Sequence, residues 1–183
     1  MDVSCSISSG CRVQLIPIME VFLNDSSRWV RNTAYEVLGP FIASLSSEQI
    51  EADLLKYFTS IPHLSSAEAD ADCTNHCAFN FPAVLLTVGR ERWGELEETF
   101  NILCRKTFKS RKTLACSLHE MAAVLGTKLT EKHLVNAMEF FLKDIDDIRS
   151  GIIRNLWKVL YSLSLKVRNR NTFFFVVDIL KRF

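Results

Sequence analysis

The sequence predicts an all-α fold, an α-solenoid of about four antiparallel helix pairs that stack into a right-handed superhelix. Three observations support this prediction. Apolar residues recur at helical spacing, the 183 residues include only six glycines and four prolines, and similar segments return about every 40 residues. A β-sandwich or barrel needs many more turn residues than this chain contains.

Long amphipathic stripes mark the principal helices. Apolar residues over positions 30–45 fall at the i, i+4, i+7 and i+8 positions of one helix face, and the pattern returns over 114–125 and 148–163. A strand would instead show a period of two. Four stripe residues are predicted to be buried in the core: Leu118, Leu156, Trp93 and Trp157.

Local signals predict where the remaining helices begin and end. Ser46 to Gln49 read as a capping box that opens a helix, and Thr130 is predicted to open a later one. Gly89 and Gly126 end apolar stripes, because glycine adopts the left-handed conformation that closes a helix. Further helices are expected over residues 13–23 and 92–104. Pro40 and Pro82 are each predicted to kink the helix that contains them.

The starts of the second helices show the repeat. Four segments occupy equivalent places, namely residues 30–34, 74–78, 110–114 and 148–152. Steps of 44, 36 and 38 positions separate their second residues, which are Arg31, Asn75, Arg111 and Arg149. A two-helix unit of ~40 residues has the period of HEAT and armadillo repeats, which bury their apolar faces by stacking on neighbours. We therefore expect about four HEAT repeats with an extended binding surface.

The two ends of the chain depart from this pattern. Residues 12–166 are predicted to form the repeat array, residues 1–11 a disordered or atypical N-terminus, and residues 167–183 an atypical apolar C-terminal helix. Within the array, the acidic stretch 65–72 lacks an apolar stripe and is predicted to be an exposed loop. The C-terminal segment contains the uncharged run Phe173 to Val177, so we expect it to self-associate or to need a partner.

Composition and charge exclude several classes of function. The 22 Lys and Arg residues nearly balance 21 Asp and Glu residues, which leaves a formal net charge of +1. Such a chain lacks the electrostatic field of nonspecific nucleic-acid binders and anionic-membrane binders. No run approaches the ~18 apolar residues of a spanning helix, and the first ten residues do not resemble a secretory signal. We expect an intracellular protein, cytoplasmic or also nuclear, with neither nucleic acid nor membrane as a partner.

The motifs give little support to a catalytic or metal site. The six cysteines are expected to be free thiols in a reducing compartment, most of them small buried hydrophobes. Cys73 and Cys77 lie four positions apart beside His76, but zinc needs four ligands and no second pair has a comparable spacing. His119 and Glu120 lack a metalloprotease's second histidine. The sequence therefore predicts no enzyme and no cofactor, and a cysteine-dependent enzyme is the alternative from another class.

Several segments resemble one protein family. Residues 24–34 match the HEAT consensus of an aspartate in the turn and Val-Arg at the start of the second helix. Residues 75–93 and 111–122 resemble the HEAT-repeat regulatory subunits of protein phosphatase 4, relatives of the scaffold subunit of protein phosphatase 2A. The likeness extends from Gln14 to Leu165, and members of that family are normally far longer.

This resemblance implies a noncatalytic scaffold. In the family, the turns between the two helices of each repeat form a ridge that holds the phosphatase catalytic subunit and other partners. The expected partner is a catalytic subunit of the protein phosphatase 4 type, and a shortened array that has lost this binding, inert or a decoy, is the alternative. The candidate partner-binding residues on the ridge are Arg28, Trp29, Arg31, Lys109, Arg111, Lys112, Asp144, Asp146, Asp147 and Arg149.

Two interpretations compete for these ridge side chains. A cation at a helix N-terminus opposes the helix dipole, so Arg31, Arg111 and Arg149 are better explained by pairing with turn aspartates along the stack than by partner contacts. Trp29 beside Arg28 is stronger evidence for a partner contact, because Trp and Arg are the side chains most enriched in interface hot spots.

Overall fold

The computed structural model describes residues 9–65, 70–165 and 167 of the chain. In these residues the regular structure is helical throughout, so the predicted all-α fold is confirmed. The α-helices are α1 (Ser9–Arg12), α2 (Ile16–Leu23), α3 (Arg28–Ala43), α4 (Ala52–Ser60), α5 (Ala71–Val88), α6 (Trp93–Leu103), α7 (Phe108–Leu129), α8 (Val135–Leu142) and α9 (Asp146–Tyr161). The contacts divide the chain into two compact units, one up to Leu114 and one from Ala115.

The helices follow one another in pairs with a repeated pattern of burial. The second helices of the four pairs, α3, α5, α7 and α9, begin 43, 37 and 38 residues apart. Shifts of these sizes superimpose two sets of buried side chains, which are Ala34, Cys77, Leu114 and Ile152, and Leu38, Phe81, Leu118 and Leu156. The period of about 40 residues is therefore present in the packing as well as in the sequence.

The same registration corrects one detail of the predicted alignment. Arg31, Arg111 and Arg149 each occupy the fourth position of their helices, but Asn75 occupies the fifth position of α5. Asn75 is therefore the counterpart of Asn32 in α3, and Thr74 is the counterpart of the arginines. The predicted steps of 44 and 36 residues become 43 and 37 for this reason.

Four aromatic rings form the centre of the first unit. Phe58 of α4, Phe81 of α5, and Trp93 and Phe100 of α6 are all buried, as predicted for Trp93. Their neighbouring ring centroids lie between 5.6 and 6.4 Å apart in tilted and edge-on arrangements. Aromatic pairs of this kind stabilise a core by about 0.5–1.5 kcal/mol beyond the burial of their surface. The cluster fixes α5 against α4 and α6.

A glycine sets the closest approach between α3 and α5. A Cβ atom placed on Gly39 would lie 2.4 Å from Cβ of Asn80, which is far shorter than a normal contact. Both helices run uninterrupted through an internal proline, Pro40 in α3 and Pro82 in α5. The two backbones therefore pack at a distance that no larger residue at position 39 would permit without movement.

The second unit contains the rest of α7 together with α8 and α9. Leu118 is fully buried and Leu156 is 8% exposed, so the predicted burial of both is confirmed. Gly151 of α9 lies against Cys116 of α7, where a Cβ atom would approach the sulfur to 2.9 Å. The side-chain amide of Asn155 also donates a 3.4 Å hydrogen bond to the Cys116 carbonyl.

Glycines end helices where the sequence predicts. Gly89 closes α5 with φ of 87°, and Gly126 interrupts α7 with φ of 71°. These two glycines lie 37 residues apart and hold equivalent positions in their repeats. L-residues with side chains adopt such angles only at a cost, which explains the choice of glycine.

Two predicted helix starts are wrong. The backbone N–H of Ser46 donates to the Gln49 side chain at 3.0 Å, but this capping box opens a 3-10 turn, and α4 begins only at Ala52. Thr130 is the first residue of a π-helical turn that follows α7 directly and leads into α8, which begins only at Val135. Thr130 is buried, and its hydroxyl donates to the carbonyl of Ala122 at 3.3 Å. In both places the local capping signal is found at a turn that precedes the α-helix, so it misplaces the start of that helix.

Trp157 is not a core residue, contrary to the prediction. Its side chain is 66% exposed, whereas Leu156 beside it is buried. Successive helical residues point about 100° apart, so a position next to the buried stripe turns toward solvent.

Some predictions fall outside the described residues. These concern the N-terminal residues 1–8, the centre of the acidic loop at 66–69, and the C-terminal segment from 168 onward, including its expected self-association. Among the residues that are described, no helix combines the length and apolar character needed to cross a membrane.

Candidate protein-binding surface

The ridge of the first unit is formed by the residues at the starts of α3, α5 and α7. At the start of α3, the Asp25 carboxylate accepts a 2.7 Å hydrogen bond from the backbone N–H of Ser27. The guanidinium of Arg31 donates to the carbonyl oxygens of Asp25 and Ser26 at 2.7 and 3.0 Å. Arg111 repeats this arrangement and donates to the carbonyl of Lys106 at 3.0 Å. These arginines tie each turn to the helix that follows it.

Two asparagines connect consecutive second helices. Oδ1 of Asn32 in α3 accepts the backbone N–H of Asp70 at 3.1 Å, and its amide donates to the Asp70 carboxylate. Oδ1 of Asn75 in α5 accepts hydrogen bonds from the hydroxyls of Thr107 and Ser110 at 2.8 and 3.1 Å. Because both asparagines hold the fifth position of their helices, each connects its helix to the start of the next second helix, although the partner groups differ. The sequence signal was an asparagine repeated 43 positions apart, which the alignment missed by one residue.

Ion pairs run along the same ridge. The Arg28 guanidinium pairs with the Asp70 carboxylate, and Nζ of Lys109 lies 3.3 Å from Oδ1 of Asp72. A hydrogen bond from the Asn75 amide, followed by the one from Lys109, lowers the pKa of Asp72 below its ordinary value. Two exposed cations of this ridge are therefore paired with carboxylates of the same ridge.

Trp29 is the second residue of α3, and its side chain is 80% exposed. It borders an apolar groove of about 540 Å³ between α2 and α3. The groove is lined by Met19, Phe22, Trp29, Val30, Thr33, Ala34 and Val37. A contiguous apolar patch rimmed by polar side chains is typical of a protein interaction site.

The second unit has one turn of the predicted ridge. Asp144 accepts a 2.8 Å hydrogen bond from the backbone N–H of Ile145, and Arg149 pairs with Asp146 at 2.5 Å. Asp146 and Asp147 are exposed in the first turn of α9, where negative charge is favoured by the helix dipole. This turn is therefore acidic, and Arg149 forms an ion pair within its own helix.

Three buried cysteines, Cys73, Cys77 and Cys104, lack the surroundings of a reactive thiol. Burial raises the pKa of the Cys73 and Cys77 thiols, and it raises the pKa of Cys104 to about 12. A catalytic thiol needs the opposite change, because the thiolate is the nucleophile. Cys73 lies against Asn32 and Cys77 against the carbonyl of Phe58. Among the described residues, no three His, Cys, Asp or Glu side chains are grouped so as to hold a metal ion.

Comparison with known proteins gives a consistent result. Residues 77–175 match a family model described as the protein phosphatase 4 regulatory subunit 1 middle domain, which is just over half of the 183 residues. The proteins named serine/threonine-protein phosphatase 4 regulatory subunit 1 from Homo sapiens, Mus musculus and Rattus norvegicus are each 39% identical to the chain over 117 residues. That alignment covers 63% of this chain but only 12% of each relative. The chain belongs to the protein phosphatase 4 regulatory subunit 1 family.

Proposed function

We propose that the chain is a noncatalytic regulatory scaffold that binds a catalytic subunit of the protein phosphatase 4 type. The names of its relatives support the phosphatase connection. The observation that carries the binding role is the exposed Trp29 beside an apolar groove. A cytoplasmic location, and also a nuclear one, is part of this proposal.

The energy available at Trp29 is sufficient for an interface hot spot. A tryptophan side chain buries 150–250 Å² in an interface, which corresponds to roughly 3–5 kcal/mol of gross transfer free energy for a ring that is mostly exposed beforehand. Ordering of side chains and desolvation of the Arg28 and Asp70 pair reduce this gain. The remainder is about 2 kcal/mol, the usual threshold of a hot spot.

The test uses the purified chain and a purified protein phosphatase 4 catalytic subunit in a biosensor measurement. Trp29→Ala, alone and together with Arg28→Ala, should weaken binding by about thirtyfold, which corresponds to ~2 kcal/mol. Trp157→Ala is the matched control, because Trp157 is also exposed, at 66% against 80% for Trp29, and belongs to the other unit. Thermal unfolding of each variant checks that the fold is intact.

The possible results separate the proposal from its alternative. Binding by the chain that depends on Trp29 and not on Trp157 supports the proposal. Absence of binding by the wild-type chain would favour the alternative, in which a shortened array has lost the catalytic subunit and is inert or a decoy. If both Trp29 variants bind as tightly as the wild type, the interface does not include the α2–α3 groove, and the proposed role of Trp29 is wrong.

A further inference from the structure

A second groove lies between α5 and the start of α7, separate from the one beside Trp29. It has a volume of about 550 Å³ and is lined by Asn75, His76, Phe79, Phe108, Lys109, Lys112 and Thr113. Phe79 is 72% exposed and Phe108 is 40% exposed, so two phenyl rings line this open groove. Exposed aromatic surface of this kind is a favourable contact for an apolar side chain of another molecule.

The charged side chains of the groove have one sign. Lys109 and Lys112 are both exposed and line it, and no carboxylate is among the lining residues. Nζ of Lys112 lies 5.7 Å from the centroid of the Phe108 ring, a cation–π contact that keeps the ammonium group beside the apolar surface. Two acidic groups lie beside lining residues of the groove: Oδ1 of Asp72 is 3.3 Å from Nζ of Lys109, and Oε1 of Glu36 is 3.9 Å from Nε2 of His76.

Hydrogen bonds already hold the groove in shape. Asn75 on its α5 side accepts from Thr107 and Ser110 on its α7 side, and the two hydroxyls lie 2.9 Å apart. Ser110 is fully buried, so this connection is shielded from water. A binding surface that is ordered before the ligand arrives loses less conformational entropy on binding.

We propose that this groove binds an acidic peptide segment of a partner protein. One aromatic or aliphatic side chain of the segment packs between Phe79 and Phe108, and flanking Asp or Glu carboxylates pair with Lys109 and Lys112. Two lysines are too few to follow a nucleic-acid backbone, and the net charge of +1 provides no long-range attraction for one. Lys109 and Lys112 are also among the ridge residues expected to bind a partner, but the inference does not rest on the proposed phosphatase function, because it is argued from this groove and not from Trp29.

The experiment selects ligands without assuming their sequence. A phage-displayed library of random short peptides is selected on the intact purified chain, and the same library is selected on a triple variant with Phe79→Ala, Lys109→Glu and Lys112→Glu. All three side chains are exposed, so the variant should keep the fold, which thermal unfolding checks. Peptides enriched on the wild-type chain alone should combine an apolar anchor with an excess of Asp and Glu.

Synthetic copies of the enriched peptides then give affinities by fluorescence anisotropy. Phe79→Ala should weaken binding by about tenfold or more, and the two lysine reversals together by a similar factor. Binding should also weaken as the salt concentration rises. Leu86→Ala, another exposed apolar residue of α5, and Lys132→Glu in the second unit are controls that should change the affinity by less than about twofold.

Three results would overturn the inference. The first is that no peptide is enriched on the wild-type chain relative to the triple variant. The second is the enrichment of peptides without excess acidic residues, or of peptides whose binding is unaffected by the Phe79 and lysine substitutions. The third is the binding of a single-stranded oligonucleotide through these same side chains with no acidic peptide enriched. None of these measurements contains a phosphatase, so failure of the proposed function leaves them unchanged.

Discussion

The hydrogen bonds between Asn32 and Asp70 join α3 to the first turn of α5, and their removal tests how the second helices are held together. Asn32→Ala deletes the bond from its amide to the Asp70 carboxylate and the bond that its Oδ1 accepts from the Asp70 N–H. Asn32 itself is buried. The substitution therefore leaves one backbone donor at the start of α5 without its partner.

The expected cost follows from the type and exposure of the two bonds. A hydrogen bond to a charged group contributes ~1.5–3 kcal/mol, and one between neutral groups contributes ~0.5–1.5 kcal/mol. Because the Asp70 side chain is 47% exposed, water replaces part of what is lost, and the lower ends of both ranges apply. We expect Asn32→Ala to lower the free energy of unfolding by about 2 kcal/mol.

A double-mutant cycle with Asp70→Ala isolates the bond from the Asn32 amide to the Asp70 carboxylate, because the backbone N–H of residue 70 remains in that variant. The two single substitutions and the double one are compared by urea unfolding, and the coupling energy should be about 1 kcal/mol or more. Because the chain has two units, hydrogen exchange at the first amides of α5 supplies a local measure beside the global transition. Asn101→Ala, an exposed site on α6, is the control and should change stability by less than ~0.5 kcal/mol. Additivity within ~0.5 kcal/mol would refute the expected coupling between the Asn32 amide and the Asp70 carboxylate.

Three further predictions concern packing and the buried thiols. Gly39→Ala should lower the free energy of unfolding by about 1–3 kcal/mol, because the new Cβ would overlap Asn80 of α5. The control Gly94→Ala, whose Cβ would meet no atom within 4 Å, should be neutral or slightly stabilising. Equal urea midpoints for the two variants would contradict this prediction. Leu118→Ala should lower the free energy of unfolding by about 2–5 kcal/mol, because Leu118 is buried, and Trp157→Ala should lower it by less than ~0.5 kcal/mol, because Trp157 is exposed. Similar losses for the two variants in urea unfolding would show that the buried helix faces are misassigned. Burial raises the pKa of Cys104 from 9.0 to about 12, so the folded state keeps a proton that the unfolded state releases. Its contribution to stability should therefore be fully present below pH 9.0 and decrease as the pH rises toward 12, and in thermal melts Cys104→Ala should lose less stability over that range than the wild type.

Much of the fold could be predicted because helical periodicity is a local property of the sequence. The stripe over residues 30–45 places Ala34, Leu38 and Ile42 on one face, and the structure buries all three. The glycines that stop helices were also predictable, since their role depends on their own backbone angles. The exposure of Trp157 was not predictable in this way. Trp157 is one position from the buried Leu156, and one position turns a side chain by about 100° around the helix, which is enough to move it from the core to solvent.

The candidate surfaces were only partly predictable. Trp29 lies beside a turn, and its side chain is exposed to solvent. The α5–α7 groove could not be found from the sequence. Phe79 and Phe108 line the same groove only because α5 and the start of α7 pack side by side, although α7 begins 20 residues after the end of α5. The contact from Asn32 to Asp70 spans 38 residues and leaves no local periodic signal.

The unequal spacing of the repeats has a consequence for how this protein family can change its length. Ten residues separate Ser60 from Ala71 in the second helix pair, whereas four separate Leu103 from Phe108 in the third. This difference of six residues equals the difference between the 43-residue and 37-residue steps, and the burial pattern is the same on both sides of it. The Asn32 bonds bypass the longer connection and hold the start of α5 directly on α3. Insertions and deletions during evolution, or an engineered tag, can therefore be accommodated between α4 and α5 without changing the register of the helices.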